Sequence, residues 1–213
     1  MVRIPVIVSL LICSWTSTTA QSKPPKPPLE LTAAIVSQSY CSINPEAASL
    51  LLTVKVRYRN LGTERLILYK GHDLFFQTRI RSAVGNPAGP YEVWVLNSRY
   101  FDEEFEPIEQ DSPGKVFLTL APGSVYEREI MVGVPLMNSN AVRGDSAIYA
   151  GEHTLQLNVS TWYKSRALGQ KLRQQWQRKG LLWIDGLVSA PVRFAARRPD
   201  SIPPCVSVIQ SIV

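Results

Sequence analysis

Histidine is nearly absent from this sequence, with two in 213 residues, and cysteine is scarce at three. Little material is left for a transition-metal site, which draws its nitrogen and sulfur ligands from those two side chains. Charged residues are only 19% of the chain, with 23 Lys and Arg against 17 Asp and Glu, while 45% are hydrophobic. So high an apolar fraction with so modest a net charge excludes a disordered protein. Beyond the first twenty residues no stretch is apolar enough to span a membrane. What is present is enough chain for one ordinary domain, or two small ones, with a real core.

The first twenty residues read as an export signal. Arg3 supplies the positive start, Ile4 to Cys13 (IPVIVSLLIC) the apolar stretch, and Ser14 to Ala20 (SWTSTTA) a mostly polar segment with small residues at Thr18 and Ala20. As a helix, the apolar stretch would cover roughly half of the ~30 Å bilayer core, so an uncleaved anchor is the weaker reading. Bulky Ile12 also stands where a lipid-modified Cys13 would need a small neighbour. Cleavage leaves 193 residues with 22 basic and 17 acidic side chains, a mildly cationic protein. Its two cysteines, Cys41 and Cys205, are most simply a disulfide in an oxidising compartment, with two buried free thiols as the alternative. Closing so long a loop would constrain the unfolded chain by about 4–5 kcal/mol on the entropic account.

Residues 21–28, containing KPPKPP at Lys23 to Pro28, read as a semi-rigid proline-rich linker before a folded region over 29–213. Beyond it the pattern has period two. Leu50, Leu52, Val54, Val56 and Tyr58 alternate with Leu51, Thr53, Lys55, Arg57 and Arg59, as in a half-buried strand. Asn60-Leu61-Gly62 turns the chain towards a strand at Leu66 to Tyr69. Further strands are expected at Leu29 to Tyr40, Leu74 to Ile80, Tyr91 to Leu96, Val116 to Leu120, Val125 to Val134, Glu152 to Trp162 and Ala190 to Ala195. Turn residues separate them, notably Gly85 to Pro90 (GNPAGP), Ser112-Pro113-Gly114 and Pro122-Gly123. One segment breaks the pattern: from Ser165 to Lys179, Leu168, Leu172 and Trp176 recur every four residues on one face of a helix, with Gly169 weakening it.

These residues resemble secreted immunoglobulin-like domains. LTVKVRYRNLGTERLILY (Leu52 to Tyr69) is similar to an early strand pair of such domains, and LAPGSVYEREIMVGVP (Leu120 to Pro135) to their hairpin before a long strand. GEHTLQLNV (Gly151 to Val159) resembles the penultimate strand, with His153 where tyrosine is frequent, and SAPVRF (Ser189 to Phe194) the closing one. The resemblance implies an all-β fold, an immunoglobulin-like β-sandwich with one short helical insert between late strands. It implies no function, because such folds host adhesion, inhibition, scaffolding and carbohydrate binding alike.

Several short motifs carry potential chemistry. Arg143-Gly144-Asp145-Ser146 contains an integrin-type tripeptide and a Gly-Asp-Ser block similar to that of lipase-like hydrolases, yet the later Asp-x-x-His of those enzymes is missing. His72-Asp73 resembles a phosphohydrolase metal pair without the further histidines it needs. Asp102, Glu103, Glu104, Glu106, Glu109 and Asp111 are oxygen-rich enough for calcium, but Pro107 and Pro113 favour a solvated acidic loop. The most unusual stretch is 164–179. Lys164, Arg166, Lys171, Arg173, Arg178 and Lys179 lie there without one acidic residue, near Trp162, Tyr163, Trp176 and Trp183. Such a helix either packs its apolar face on the sandwich with its charges in water, or meets an anionic surface.

The expectation is a secreted or periplasmic domain that performs no catalysis and holds no cofactor. Its leading function is binding or scaffolding through a protein of the envelope or extracellular space. The alternative is an anionic glycan or membrane surface, met by Arg166, Lys171, Arg173, Trp176, Arg178 and Lys179. An enzyme using His72 or His153 is the third reading, and export argues against a nucleic-acid ligand.

Overall fold

The computed structural model describes residues 27–69, 75–82, 92–97, 113, 117–136, 147–160, 162 and 165–205. The fold is all-β, with a short helix inserted between late strands. In chain order it comprises β1 (Leu29–Asn44), β2 (Ala47–Asn60), β3 (Leu66–Tyr69), β4 (Phe75–Ser82), β5 (Glu92–Asn97), β6 (Phe117–Leu120) and β7 (Val125–Leu136). A 3-10 turn at Ala147–Tyr149 then precedes β8 (His153–Ser160), α1 (Arg166–Gln175), β9 (Leu181–Leu182), β10 (Gly186–Val188) and β11 (Val192–Phe194).

Three strands, in the order β1-β2-β7, form one antiparallel sheet, and the order β10-β8-β4-β5 forms a second, with β11 also paired to β8. The alternation in β2 decides which side faces inward: Leu50, Leu52, Val54 and Val56 are fully buried, whereas Lys55 and Arg57 face water and share Glu127 of β7 at 3.9 and 3.4 Å. Those apolar residues meet Ile80, Leu155, Leu157 and Val159 of the second sheet in one continuous core.

The third sheet, β6-β3-β9, is small and includes a parallel pair, Leu66–Leu181 and Ile67–Leu182. All four residues of β3 are buried. Leu66 and Leu68 join the main core, while Ile67 and Tyr69 point the other way, into a second core with Phe117, Trp162, Leu172, Trp176, Leu182 and Ile184. The helix is therefore a cover over the outer side of β3.

Asn60 ties this corner together. Its amide nitrogen donates to the carbonyls of Glu64 (2.7 Å) and Leu120 (3.0 Å), and its amide oxygen accepts from Gly62 N (2.9 Å). The residue is wholly buried, so every polar atom satisfied there avoids a desolvation penalty of about 1–3 kcal/mol.

The strands differ from expectation mainly at their ends. β1 runs on to Asn44, and Pro45 and Glu46 form a hairpin turn into β2. β9 and β10, of two and three residues, are additional to the expected strands and too short to show a period. The helix stops at Gln175 rather than Lys179. The chain there turns on the Trp176 carbonyl, which accepts from Lys179 N (2.7 Å) and Gly180 N (3.2 Å). Gly180 then adopts φ +147, and a Cβ on it would lie 2.7 Å from the Arg65 carbonyl oxygen, so only glycine returns the chain to β3.

Gly169, which weakens the helix on propensity grounds, has a packing reason: a Cβ there would lie 2.8 Å from Ile184 Cγ2 and 3.0 Å from Trp162 Nε1. Gly169→Ala is expected to destabilise the protein by about 1–3 kcal/mol by overpacking, although alanine is the better helix former by about 1 kcal/mol. Urea denaturation checks the sign. Trp176→Ala, which empties a fully buried site, is expected to cost about 3–5 kcal/mol in the same assay.

Candidate functional site

The helical insert is built from its cap upward. Ser165 is the N-cap, its hydroxyl accepting from Leu168 N at 3.3 Å, and Leu168, Gly169, Leu172 and Trp176 face inward. This leaves the six expected binding residues in four different situations. Trp176 is 0% exposed, its ring edge-on to Phe117 with centroids 5.0 Å apart, so it belongs to the second core and cannot touch a ligand. Its placement among surface binding residues is corrected: a four-residue apolar repeat that completes a core uses its aromatic there.

Arg166 and Arg173 are drawn to one carboxylate. Arg166 Nη2 donates to Asp185 Oδ1 at 3.0 Å, and Arg173 Nη2 lies 3.8 Å from Asp185 Oδ2 while its Nε donates to the Leu182 carbonyl at 2.8 Å. Asp185 sits between β9 and β10, outside the acid-free stretch, and it returns in space to the helix. Lys171 is exposed on the helix. Arg178 and Lys179 are exposed too, but in the turn after it. Gln170 and Gln174 stand on the exposed side beside Lys171, so the outward face carries amides and only scattered cations. Lys164 and Tyr163 lie outside the described residues.

A second candidate surface lies on the outer face of the larger sheet, which sequence reasoning did not single out. Val93 and Val95 point towards the core, which puts Trp94 outward, 44% exposed. The signal was legible: an indole on the polar parity of a strand. Trp94 pairs in register with Arg79 of β4, and Arg79 in turn with Gln156 of β8. The Arg79 guanidinium lies 5.0 Å from the Trp94 ring centroid and donates to Glu92 through Nε (3.0 Å) and Nη2 (3.1 Å). Trp94 Nε1 donates to the same carboxylate at 2.9 Å. The Arg79 hydrogen bonds hold the Glu92 carboxyl below its usual range, keeping it ionised. The result is an exposed aromatic fixed on two sides by a bidentate ion pair.

His153 is wholly buried at the start of β8. Its Nε2 meets the Ile148 carbonyl at 2.8 Å, and its ring packs on Phe194 with centroids 5.6 Å apart. A carbonyl only accepts, so Nε2 carries the proton, and burial lowers the pKa below its ordinary 6.5. His72-Asp73, the acidic residues 102–111, Arg143 to Ser146 and the signal 1–20 lie outside the described residues, as do 21–26 of the linker. Among the described residues no group of three or more His, Cys, Asp or Glu is placed to hold a metal ion, and no helix is long and apolar enough to cross a membrane. Cys41 and Cys205 are joined in a disulfide.

No family model and no curated protein sequence matches this chain. Among solved structures it is similar to a protein from Bordetella pertussis provisionally named ApaA, at 16% identity and a TM-score of 0.33, over 82% of this chain and all of that one. It is also similar to the structural-genomics target SoR45, at 14% identity and a TM-score of 0.32, over 79% of this chain and 85% of that one. Likenesses so distant assign neither activity nor partner.

Two outcomes are expected from these contacts. Asp185→Asn should change stability by less than about 1 kcal/mol, since the pair is largely exposed, while strengthening retention on an anionic resin at low salt. For His153 the folded pKa is depressed, so its contribution is complete above about 6.5 and is lost as pH falls below that value. His153→Gln should flatten the fall of stability below about pH 6.5, as read by chemical denaturation.

Proposed function

We propose that this chain is an exported, immunoglobulin-like domain that performs no catalysis and binds a protein of the cell envelope. The single observation that carries this reading is the Trp94–Arg79–Glu92 cluster on the outer face of the larger sheet. Tryptophan and arginine dominate the hot spots of protein interfaces, because each brings a large, rigid contact area at small entropic cost. Here both are already held in one geometry, which reduces the ordering cost of association.

The immunoglobulin-like assignment is supported by His153. In immunoglobulin-like sandwiches a tyrosine near the start of a late strand bonds back to backbone a few residues upstream. His153, at the start of β8, makes the equivalent bond to Ile148. Export is supported by the disulfide, since such bonds persist in oxidising compartments.

The rival reading, an anionic glycan or membrane surface, rests on Lys171, Arg178 and Lys179, which stay exposed around the helix. Against it stand the burial of Trp176 and the pairing of Arg166 and Arg173 with Asp185. Crosslinking capture from envelope extract, at low and high salt, separates the two. A defined protein partner should persist at high salt and fall by about tenfold or more with Trp94→Ala. Capture of polysaccharide or lipid that vanishes with salt and with Lys171, Arg178 and Lys179 changed to serine would replace the protein reading with the glycan one.

A further inference from the structure

The segment 195–205 runs along the free edge of β1 without forming a ladder with it; one isolated bridge, Ser42 with Pro204, is the sole β pairing between them among the described residues. Side chains of β1 reach out to it instead. Gln38 brackets the segment, its Nε2 donating to the Ala195 carbonyl at 2.9 Å and its Oε1 accepting from Arg197 N at 3.3 Å. The Tyr40 hydroxyl donates to the Arg197 carbonyl, and Ser42 N donates to the Pro203 carbonyl at 2.7 Å. Pro199, Pro203 and Pro204 have no N–H to offer, so the segment covers the edge without extending the sheet.

The fit is loose. A groove of about 400 Å³ separates Val36, Gln38 and Tyr40 from Arg198, Pro199 and Asp200. Two bulges border the covered strip: β1 skips a partner at Val36 and again at Ile43, which are 49% and 64% exposed. At the far end the Cys41–Cys205 bond joins strand and segment, with Cα atoms 4.5 Å apart. Apart from that bond, the segment is held by these few hydrogen bonds and by Ala196 and Ile202, which pack partly buried against the main core.

We propose that residues 195–205 form a redox-released strap over the edge of β1, pinned at its far end by the disulfide and freed from Ser42 outward by a dithiol reductant. Cys41 is 3% exposed and Cys205 is half-buried, which directs attack to Cys205. A thiolate of the dithiol bonds to Cys205 Sγ, and the electron pair of the broken S–S bond leaves on Cys41 Sγ, which takes up a proton. The second thiol of the reductant, deprotonated, then attacks the sulfur bonded to Cys205. The reductant leaves as its own disulfide, and Cys205 takes up the second proton. Two electrons enter the protein and two thiols result. Release bares the outward backbone groups of β1 around Ser42, the kind of edge to which another strand can add.

The test compares the mature protein oxidised, reduced with dithiothreitol, and as the Cys41→Ser/Cys205→Ser variant, by amide exchange and by tryptic cleavage after Arg197. In the reduced and serine forms, exchange at Ser42 and cleavage should rise by about tenfold or more, while β2 amides, less protected once the loop constraint is gone, stay far better protected than Ser42, the mark of a local opening. Equal rates in all forms would overturn the proposal. β2 protection falling on reduction to the level of Ser42 would also overturn it, because strap and sheet would then open as one unit. A Gln38→Ala/Tyr40→Phe variant, kept oxidised, should hold the strap; release there equal to that on reduction would mean that the hydrogen bonds are the hold.

Discussion

The burial of β3 on both faces is the constraint on which the rest of this architecture depends. Four residues, Leu66 to Tyr69, supply apolar side chains to two cores at once. A strand in the middle of a two-layer fold has one core face and needs only a solvated reverse side. β3 has no such side, so something apolar must lie beyond it. Trp162, Leu172, Trp176 and Ile184 fill that role. The helix insert therefore follows from the strand, and its apolar stripe is spoken for before any ligand arrives. Asn60 serves the same corner by feeding hydrogen bonds into the two chain segments that flank the small sheet.

What the sequence made legible follows from where each signal lives. Period-two alternation identifies β2 and β7 because each faces a core on one side and water on the other. The helix was legible through Leu168, Leu172 and Trp176, but its end was not, because Gly180 is dictated by the Arg65 carbonyl, a contact far away in the chain. β9 and β10 were hidden for a similar reason: strands of two and three residues carry no period and exist only by pairing. The charge pattern of the helix insert was legible only in part for the same physical cause. Counting charge within a window of sequence sees Arg166 and Arg173 but not Asp185, which reaches them only after the chain has returned through β9. The cysteine pair, by contrast, needed only arithmetic and compartment logic to become the observed Cys41–Cys205 bond.

Among the described residues, charges are arranged as local neutralisation. Glu127 sits against Lys55 and Arg57, Glu92 against Arg79, and Asp185 against Arg166 and Arg173. Each pair is partly exposed, so each contributes little to stability, but together they break the basic surplus into small fields. Trp94 gains from this arrangement, since the ion pair that fixes it also cancels the charge beside it. A surface of that kind exerts little long-range attraction and presents shape and aromatic area instead.

The parallel pairing of β3 with β9 has a kinetic meaning. Leu66 meets Leu181 and Ile67 meets Leu182, contacts between residues more than a hundred positions apart. Closing so long a loop costs chain entropy that must be met before packing Trp176 gives any return. Nascent chain leaving the ribosome holds β3 long before its cover exists, with Ile67 and Tyr69 bare in the meantime.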